Sequence, residues 1–412
     1  MSNAILSSNA NSSLINTLLG SEAVKNPNVY STEEITPPYA ATWQRCDPTT
    51  SNAISGRTQS FEVMKYGYLQ QVLLCWEKSL TMGATGPAIV NTETVAVSAN
   101  DAIRSIDSIE MLSAGRTVSI MTSDDLFAQF SDLSEADSIP VRATALGERK
   151  IKNFPVSTSQ PFKFCLPVVF PQMEDVNTQL NCQFLEGITF KVKWAKFTNT
   201  LIPDTTASIV PDSMYMRLRY KAYPEEQVSE VLSSNFDQPE LAQLTSKWYS
   251  ESPQSFETGA GATESSQTVT VELKNTDCVQ DLFVMVYKAD ETTAYEPVAI
   301  DSVSFEASGQ VLVAMSNEEL RYTRLGEHGW SCSQNVSASG HGANVAKIQN
   351  GLYTWYKLSN TLSLRELNAP KIVVSLKDLA LSTKYIVRVS EKCSAIFSTT
   401  SATGRYNVAL SN

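Results

Sequence analysis

The chain has 412 residues, of which 18% are charged and about a fifth are serine or threonine, so we expect two or three compact units of strands and turns and exclude a long coiled coil. The formal net charge of −11 repels phosphate, so direct sequence-specific nucleic-acid binding is not expected. No stretch approaches about 18 consecutive apolar residues, and residues 1–10 lack a basic flank before an apolar run. We therefore expect neither a transmembrane helix nor a secretory signal.

Composition divides the chain into four parts. Residues 1–55 are rich in Ser, Asn, Thr and Pro and predict an N-terminal arm, with a short amphipathic turn around residues 14–19. Two β-rich units are predicted at 56–225 and 240–412, joined by an acidic linker at 226–239. A Gly/Ser-rich stretch at 326–350 predicts a long loop inside the second unit.

Both units contain short apolar runs that are typical of strands. The predicted runs are Phe61–Leu80, Phe162–Phe170, Ile188–Trp194, Met214–Tyr223, Thr268–Leu273, Leu282–Tyr287, Tyr353–Leu358, Lys371–Leu376 and Tyr385–Val389. In the fourth run, Arg217 and Arg219 lie two residues apart, which places both on one face of a half-exposed strand.

The two units share a duplicated segment. Ile106–Leu126 and Ile300–Leu320 align without a gap at an offset of 194, and six of the 21 positions are identical. The tetrapeptide QSFE also occurs twice, at 59–62 and 254–257, at an offset of 195. Two matches at nearly the same offset, close to half the chain, indicate that the protein consists of two copies of one unit.

The duplicated segment predicts a hairpin followed by a short helix. In each copy an apolar run leads to a glycine turn, at Gly115 or Gly309, and a second run follows. Then Thr122 and Ser316 each supply a hydroxyl that can cap a helix, with Asp125 or Glu319 three residues later. Many short strands in about 190 residues favour an all-β fold of two tandem eight-stranded jelly rolls with short helices in the connecting loops.

Candidate catalytic and metal-binding residues are few. The seven cysteines are widely spread and never form a C-x-x-C pair, so we interpret them as free thiols; there are only two histidines. His328, Cys332 and His341 could supply three metal ligands, but their spacing matches no established zinc pattern, and a loop is favoured. We expect no cofactor, no metal and no catalytic residues.

Adjacent carboxylates offer the other route to an enzyme. Four of the adjacent acidic pairs are taken as candidates, and neighbouring side chains diverge on both strands and helices, so helix capping or a solvated surface is favoured over paired acid and base catalysis. The pairs are Glu33–Glu34, Asp124–Asp125, Glu225–Glu226 and Glu318–Glu319.

Tryptophans are the candidates for a sugar-stacking platform. Trp76, Trp194, Trp248 and Trp355 lie in or beside strand-like runs, which favours burial in a core over sugar binding. Trp330 lies in the long loop, where anchoring of that loop and insertion into a neighbour's pocket are both open.

The order of several segments resembles that of the double jelly-roll major capsid proteins of tailless icosahedral DNA viruses, including those of large eukaryotic DNA viruses. In that family a strand after an "R/Y-G-x-L" turn precedes a hairpin with a glycine turn and a short helix, and a "P-F-F-F … L-P" segment follows. The resemblance covers roughly residues 55–412 and is carried by Tyr66–Leu74, Ile106–Leu126, Gln160–Val169, Phe184–Val192 and Leu352–Asn412.

The resemblance implies a non-enzymatic subunit of the virion that is made and assembled inside the host cell. It implies a homotrimer whose six jelly rolls give a pseudo-hexagonal capsomer, with neighbouring capsomers as partners. The arm would contact penton or minor capsid proteins, or an inner membrane. Two alternatives stay open: a tandem β-sandwich that binds carbohydrate or acts as an adhesin, and a glycosidase that uses only carboxylates.

Overall fold

A computed structural model describes the two β-rich units and leaves parts of their loops undescribed. The described residues are 40–50, 56–82, 94–97, 103, 105–131, 149–152, 159–170, 173, 180–182, 187–195, 205–210, 213–222, 240–259, 266–289, 296–298, 300–316, 352–377, 379–401 and 406–411. The predicted linker 226–239 and the loop 326–350 lie outside them, as does most of the arm. No helix within the described ranges is long and apolar enough to cross a bilayer.

The first half contains twelve described strands and one described helix. They are β1 (Ala40–Cys46), β2 (Thr58–Glu62), β3 (Tyr68–Met82), β4 (Thr94–Val97), β5 (Ile106–Ser113), β6 (Arg116–Thr122), α1 (Ser123–Ser131), β7 (Arg149–Lys152), β8 (Ser159–Val168), β9 (Leu180–Asn181), β10 (Ile188–Trp194), β11 (Thr205–Ile209) and β12 (Tyr215–Ala222).

These strands form two main antiparallel sheets. In the first sheet β12 lies between β1 and β3, and β3 pairs on its other side with β8. The second sheet has the order β2-β10-β5-β6. Each sheet takes four of eight strands, and consecutive members of the eight lie in opposite sheets except at the β5–β6 hairpin, which is the arrangement of a jelly roll. The strands β4 and β7 pair separately as a small ribbon.

The second half repeats this arrangement. Its described elements are β13 (Glu240–Ser250), β14 (Gln254–Glu257), β15 (Gln267–Glu272), β16 (Cys278–Ala289), β17 (Glu296–Pro297), β18 (Ser302–Ala307), β19 (Gln310–Ser316), β20 (Leu352–Ser363), a 3₁₀ turn (Leu364–Glu366), β21 (Lys371–Leu376), β22 (Lys384–Ser401) and β23 (Tyr406–Ser411). One sheet has the order β13-β22-β16-β20, and the other has the order β15-β21-β18-β19. The predicted all-β class with two jelly rolls is confirmed.

The duplicated segment forms the same hairpin in both rolls. The strand pairs β5–β6 and β18–β19 are each joined by a two-residue turn in which both residues have positive φ, at Ala114–Gly115 (50° and 77°) and Ser308–Gly309 (54° and 75°). This is a type I′ turn, whose twist matches the twist of the strands. Each hairpin also has a β-bulge three residues after its glycine, at Val118 and at Leu312. Equal turns and equal bulges at an offset of 194 show that the hairpins are equivalent.

The repeated QSFE tetrapeptide is not structurally equivalent in the two rolls. Its first copy lies in β2, which pairs with β10 in the second sheet of the first roll. Its second copy forms β14, which pairs with β22 in the other sheet of the second roll. The strand that corresponds to β2 is β15, paired with β21. The duplication inferred from the sequence therefore rests on the hairpin alone.

Two other expectations need correction. Residues 40–46 belong to the predicted arm, but they form β1, which pairs along its whole length with β12. The predicted run Phe61–Leu80 is two strands, β2 and β3, that belong to different sheets. Gly67 lies between them with a φ of 54°, and the backbone oxygen of Lys221 would be 2.7 Å from a Cβ at that position. Close backbone approach at this crossing therefore requires glycine.

Gly67→Ala is expected to lower the free energy of unfolding by about 2 kcal/mol, because it adds steric overlap with the Lys221 carbonyl to the strain of positive φ. The matched control is Gly187→Ala, since Gly187 has a φ of 44° and nothing within 4 Å of its would-be Cβ. In that control the free energy of unfolding should fall by only about 1 kcal/mol, because the substitution adds the strain of positive φ without the steric overlap. Urea denaturation monitored by circular dichroism measures both, and equal losses would contradict the close-approach argument.

Candidate interaction surfaces

Chemistry-bearing residues do not gather into a catalytic or metal centre in the described part of the chain. No group of three or more His, Cys, Asp and Glu side chains there could hold a metal. Of the four predicted acidic pairs, the structure describes Asp124–Asp125; the other three lie outside the described residues, as do His328, Cys332 and His341. The sites that the structure does define are contact surfaces, and the first of them lies between the two rolls.

Helix α1 begins with the capping arrangement predicted from the sequence. The Thr122 backbone N–H and hydroxyl both donate to Asp125 Oδ2, each at 2.8 Å, and the Asp125 N–H donates to Thr122 Oγ1 at 3.3 Å. Burial raises the pKa of Asp125 above its ordinary value, although the bonds from Thr122 oppose the shift. Asp125 therefore caps the helix, but it is buried and not on a solvated surface. The corresponding position of the second roll, Glu319, lies outside the described residues.

Thr122→Val is expected to lower the free energy of unfolding by about 1 kcal/mol, because it removes one side of the reciprocal cap while it keeps the β-branched shape. Thr268→Val, on an exposed position of β15, is the control for the same chemical change and should shift stability by less than about 0.5 kcal/mol. Thermal unfolding measured by calorimetry separates the two, and a Thr122 variant as stable as its control would argue against the cap.

Asp124 and Asp125, the acidic pair at the start of α1, both contact the second roll. Asp125 Oδ1 accepts a hydrogen bond from the Ser250 hydroxyl of β13 at 3.1 Å. Asp124 Oδ2 lies 3.0 Å from Arg388 Nε of β22, as an ion pair whose N–H is not aligned for a hydrogen bond. Both acids are almost fully buried. An acidic pair at the start of α1 thus contacts the outer face of the sheet in the second roll.

Apolar packing surrounds these polar contacts. In β16 the side chains of Leu282, Val284 and Val286 face the core of the second roll. Alternate residues of the same sheet point the other way and belong to one continuous cluster with the core of the first roll; they are Trp248, Phe283, Met285 and Tyr287. The strands β13 and β23 also lie against β6. The outer sheet of the second roll is therefore covered by the first roll within one chain.

The equivalent outer face of the first roll is exposed and cationic. On it Arg219 lies 5.8 Å from the ring centre of Trp43, and Arg45 lies 4.3 Å from that of Tyr215. Arg45 also pairs with Asp47 at 2.7 Å. Arg217 and Arg219 share this face, as the alternation in the sequence predicts. In a chain of net charge −11, this is a local surface that would attract acidic groups.

Two thiols meet on the same face. Cys75 of β3 and Cys165 of β8 are directly opposite in the ladder, and their Sγ atoms are 3.1 Å apart in an S–H···S contact. The contact with Cys165, together with burial, raises the pKa of Cys75. All six described cysteines are free thiols, and Cys278 is the exposed one among them. Cys332 lies outside the described residues.

A buried acid lies in the core of the second roll, near the end of β13. Glu391 Oε2 accepts a 2.6 Å bond from Asn275 Nδ2, while its Oε1 has no hydrogen-bond partner in the described structure. Glu251 Oε1 accepts hydrogen bonds from the backbone N–H groups of Lys274 and Asn275. Asp277 forms an ion pair with Lys247 at 2.8 Å. Burial raises the pKa of Glu391 to about 7, and the charges of Glu251 and Asp277 add to the shift.

Tryptophans lie mainly in cores, as predicted. Trp76 is buried between Phe164, with ring centres 5.3 Å apart, and Trp194, at 5.7 Å. Trp194 Nε1 donates to Gln59 Oε1 at 3.1 Å. The side chain of Trp355, and Trp330 as a whole, lie outside the described residues. The exposed tryptophan of the described structure is Trp43, which the sequence did not single out.

Comparison with known proteins identifies the architecture. No protein-family model matches the chain, and no curated protein matches its sequence. Solved structures do match, and three of them are the PBCV-1 virus capsid, the Faustovirus major capsid protein and the mavirus major capsid protein. Their TM-scores are 0.63, 0.56 and 0.57, at 12%, 9% and 12% sequence identity. The matches cover 93%, 96% and 93% of this chain and 99%, 98% and 92% of those chains. The chain has the double jelly-roll fold of these capsid proteins.

The resemblance inferred from the sequence is thus confirmed at the level of fold, over nearly the whole of both chains. In this double jelly roll the rolls meet asymmetrically: the first uses the bulged edge strand β6 and helix α1, and the second uses the outer face of β13, β22 and β16. Within one chain, the first roll therefore uses its β6 edge for this contact, and the second roll uses its outer sheet face. The outer sheet face of the first roll and the β19 edge of the second roll take no part in it among the described residues.

Proposed function

We propose that the chain is a major capsid protein that self-assembles into pseudo-hexagonal homotrimers, which tile an icosahedral virion shell. The observation that carries the proposal is the match of the double jelly roll, over more than nine-tenths of both chains, to capsid proteins of three viruses. The physical logic is independent of the match. Two similar rolls per chain, repeated by a three-fold axis, give a nearly six-fold outline that packs into a closed surface.

The proposal includes the place and partners of the protein. It acts in the virion capsid, is made and assembled inside the host cell, and contacts neighbouring capsomers through the sides of its trimer. Residues 1–39, which precede β1, serve as the arm toward penton or minor capsid proteins or an inner membrane. The role is non-enzymatic and does not involve sequence-specific nucleic-acid binding, in keeping with the net charge of −11.

Light scattering coupled to gel filtration tests the proposal on the purified full chain. The expected mass is three times the chain mass of 45.2 kDa, and negative-stain microscopy of the same fraction should show particles of hexagonal outline. A monomer that persists at high micromolar concentration would overturn the homotrimer. A two-lobed particle that binds immobilised glycans would favour the carbohydrate-binding alternative.

A further inference from the structure

The contact between the rolls has two sides, and each side has a counterpart in the other roll. One side is the edge strand β6, with its bulge residue Val118, together with the start of α1. The other side is the outer sheet face around Trp248. Because the two rolls have the same strand order, the counterpart of each side can be located by register.

The counterpart of Val118 is Leu312. Both are the bulged residue of an edge strand, at an offset of 194. Val118 is 8% exposed and belongs to the cluster that contains Trp248, whereas Leu312 is 48% exposed. Its neighbour Val311 is also exposed. Together with Ala314 they form the Leu312 face, an exposed apolar edge of the described part of the second roll.

The counterpart of Trp248 is Trp43. Each tryptophan lies five residues before a proline, Pro253 or Pro48. Each also lies on the first strand of its roll, where Trp248 is opposite Lys392 and Trp43 is opposite Arg219. Trp248 is 8% exposed and Trp43 is 44% exposed. With Arg45, Leu73 and Arg217 on the same outer sheet, Trp43 forms the Trp43 face.

The two exposed faces have the chemistry of the two buried ones. Within the chain, β6 and the acids of α1 meet a sheet that presents Trp248 and Arg388. The Leu312 face on the second roll is an apolar edge strand of the same kind. The Trp43 face on the first roll is a sheet face with a tryptophan and arginines.

We propose that the Leu312 face of one copy docks on the Trp43 face of a second copy and repeats between chains the contact that joins the rolls within one chain. This inference rests on the proposed homotrimer and assigns the surfaces that build it. The contact is heterologous, because the two faces differ. Successive copies therefore join head to tail, and three chains close into a ring of six rolls held by six related contacts.

Two single variants and their mixture test the pairing. Leu312→Asp places a charge on one face only, and Trp43→Asp places a charge on the other face only. Each variant alone has one damaged and one intact face, and so should run at the chain mass of 45.2 kDa in light scattering. In an equimolar mixture, the intact Trp43 face of the first variant meets the intact Leu312 face of the second. The mixture should form a one-to-one pair of twice the chain mass and no trimer.

The control is Leu381→Asp, which adds the same charge at a leucine that is 52% exposed in the turn before β22, away from both faces. It should assemble as the unaltered chain does. If the unaltered chain is trimeric and either face variant still forms trimers, the assigned surfaces are wrong while the proposed function stands. The assignment is also wrong if both variants are folded by circular dichroism and their mixture stays monomeric. A monomeric unaltered chain overturns the homotrimer itself.

Discussion

Trp248→Ala is expected to lower the free energy of unfolding by about 3 kcal/mol, because it removes a large buried ring and leaves a cavity between the rolls. The ring of Trp248 lies 5.5 Å from that of Phe283 and belongs to the cluster that continues into the core of the first roll. Urea denaturation at nanomolar concentration, followed by fluorescence, measures the loss under conditions that keep separate copies apart.

Trp43→Ala is the matched control, since it makes the same chemical change at the corresponding position of the first roll. In a single copy of the chain Trp43 is half-exposed, so its removal should lower the free energy of unfolding by less than about 1 kcal/mol. At micromolar concentration the same control should weaken association. Equal losses for the two variants in the separated chain would mean that Trp248 does not stabilise the contact between the rolls.

Glu391→Gln is expected to make the chain more stable at pH 8 and to flatten the dependence of its stability on pH. Burial raises the pKa of Glu391 from 4.5 to about 7 in the folded chain, so the folded state binds the proton more tightly than the unfolded state does. The favourable contribution is fully present below pH 4.5, and it is lost as the pH rises through about 7. The full loss is about 3 kcal/mol, at about 1.4 kcal/mol for each pKa unit.

The groups around Glu391 determine the size of this effect. Glu251 and Asp277 raise its pKa, whereas the hydrogen bonds from Asn275 and Cys393 lower it. Between pH 5 and pH 8, the free energy of unfolding of the unaltered chain should fall more than that of Glu391→Gln, by most of that amount. Glu257→Gln makes the same chemical change on an exposed position of β14 and is the control. A pH profile of Glu391→Gln that parallels that of the unaltered chain would contradict a proton on Glu391 in the folded state.

The parts of the fold that the sequence predicted are those with a local signal. The hairpin at Gly115 and its copy at Gly309 could be found because a turn, two strands and a cap repeat at a fixed offset. Strand β10 and strand β21 were predicted with the correct boundaries, since each is a short apolar run that is bounded on both sides. The capping role of Asp125 followed from the spacing to Thr122.

The parts that the sequence did not predict depend on distant residues. Strand β1 lies in a region rich in Ser, Asn, Thr and Pro and pairs with β12, which is distant in sequence, so composition assigned it to the arm. The burial of Asp124 depends on Arg388, in a strand that is paired only when the second roll is complete. Trp43 had a usable signal in its five-residue spacing to Pro48, which matches that of Trp248 to Pro253, but the match is convincing only once both residues are known to lie on first strands.

The chain order of the strands sets the order in which the two rolls can form. The first roll closes when β12 pairs with β1 and β3, which requires no residue beyond 222. The second roll needs β22 to lie between β13 and β16, so the central strand of its sheet is among the last to be synthesised. In a nascent chain, the second roll therefore cannot cover Val118 and the acids of α1 completely until β22 has been synthesised. Slow translation between the two halves would lengthen the period in which that surface can capture the wrong partner.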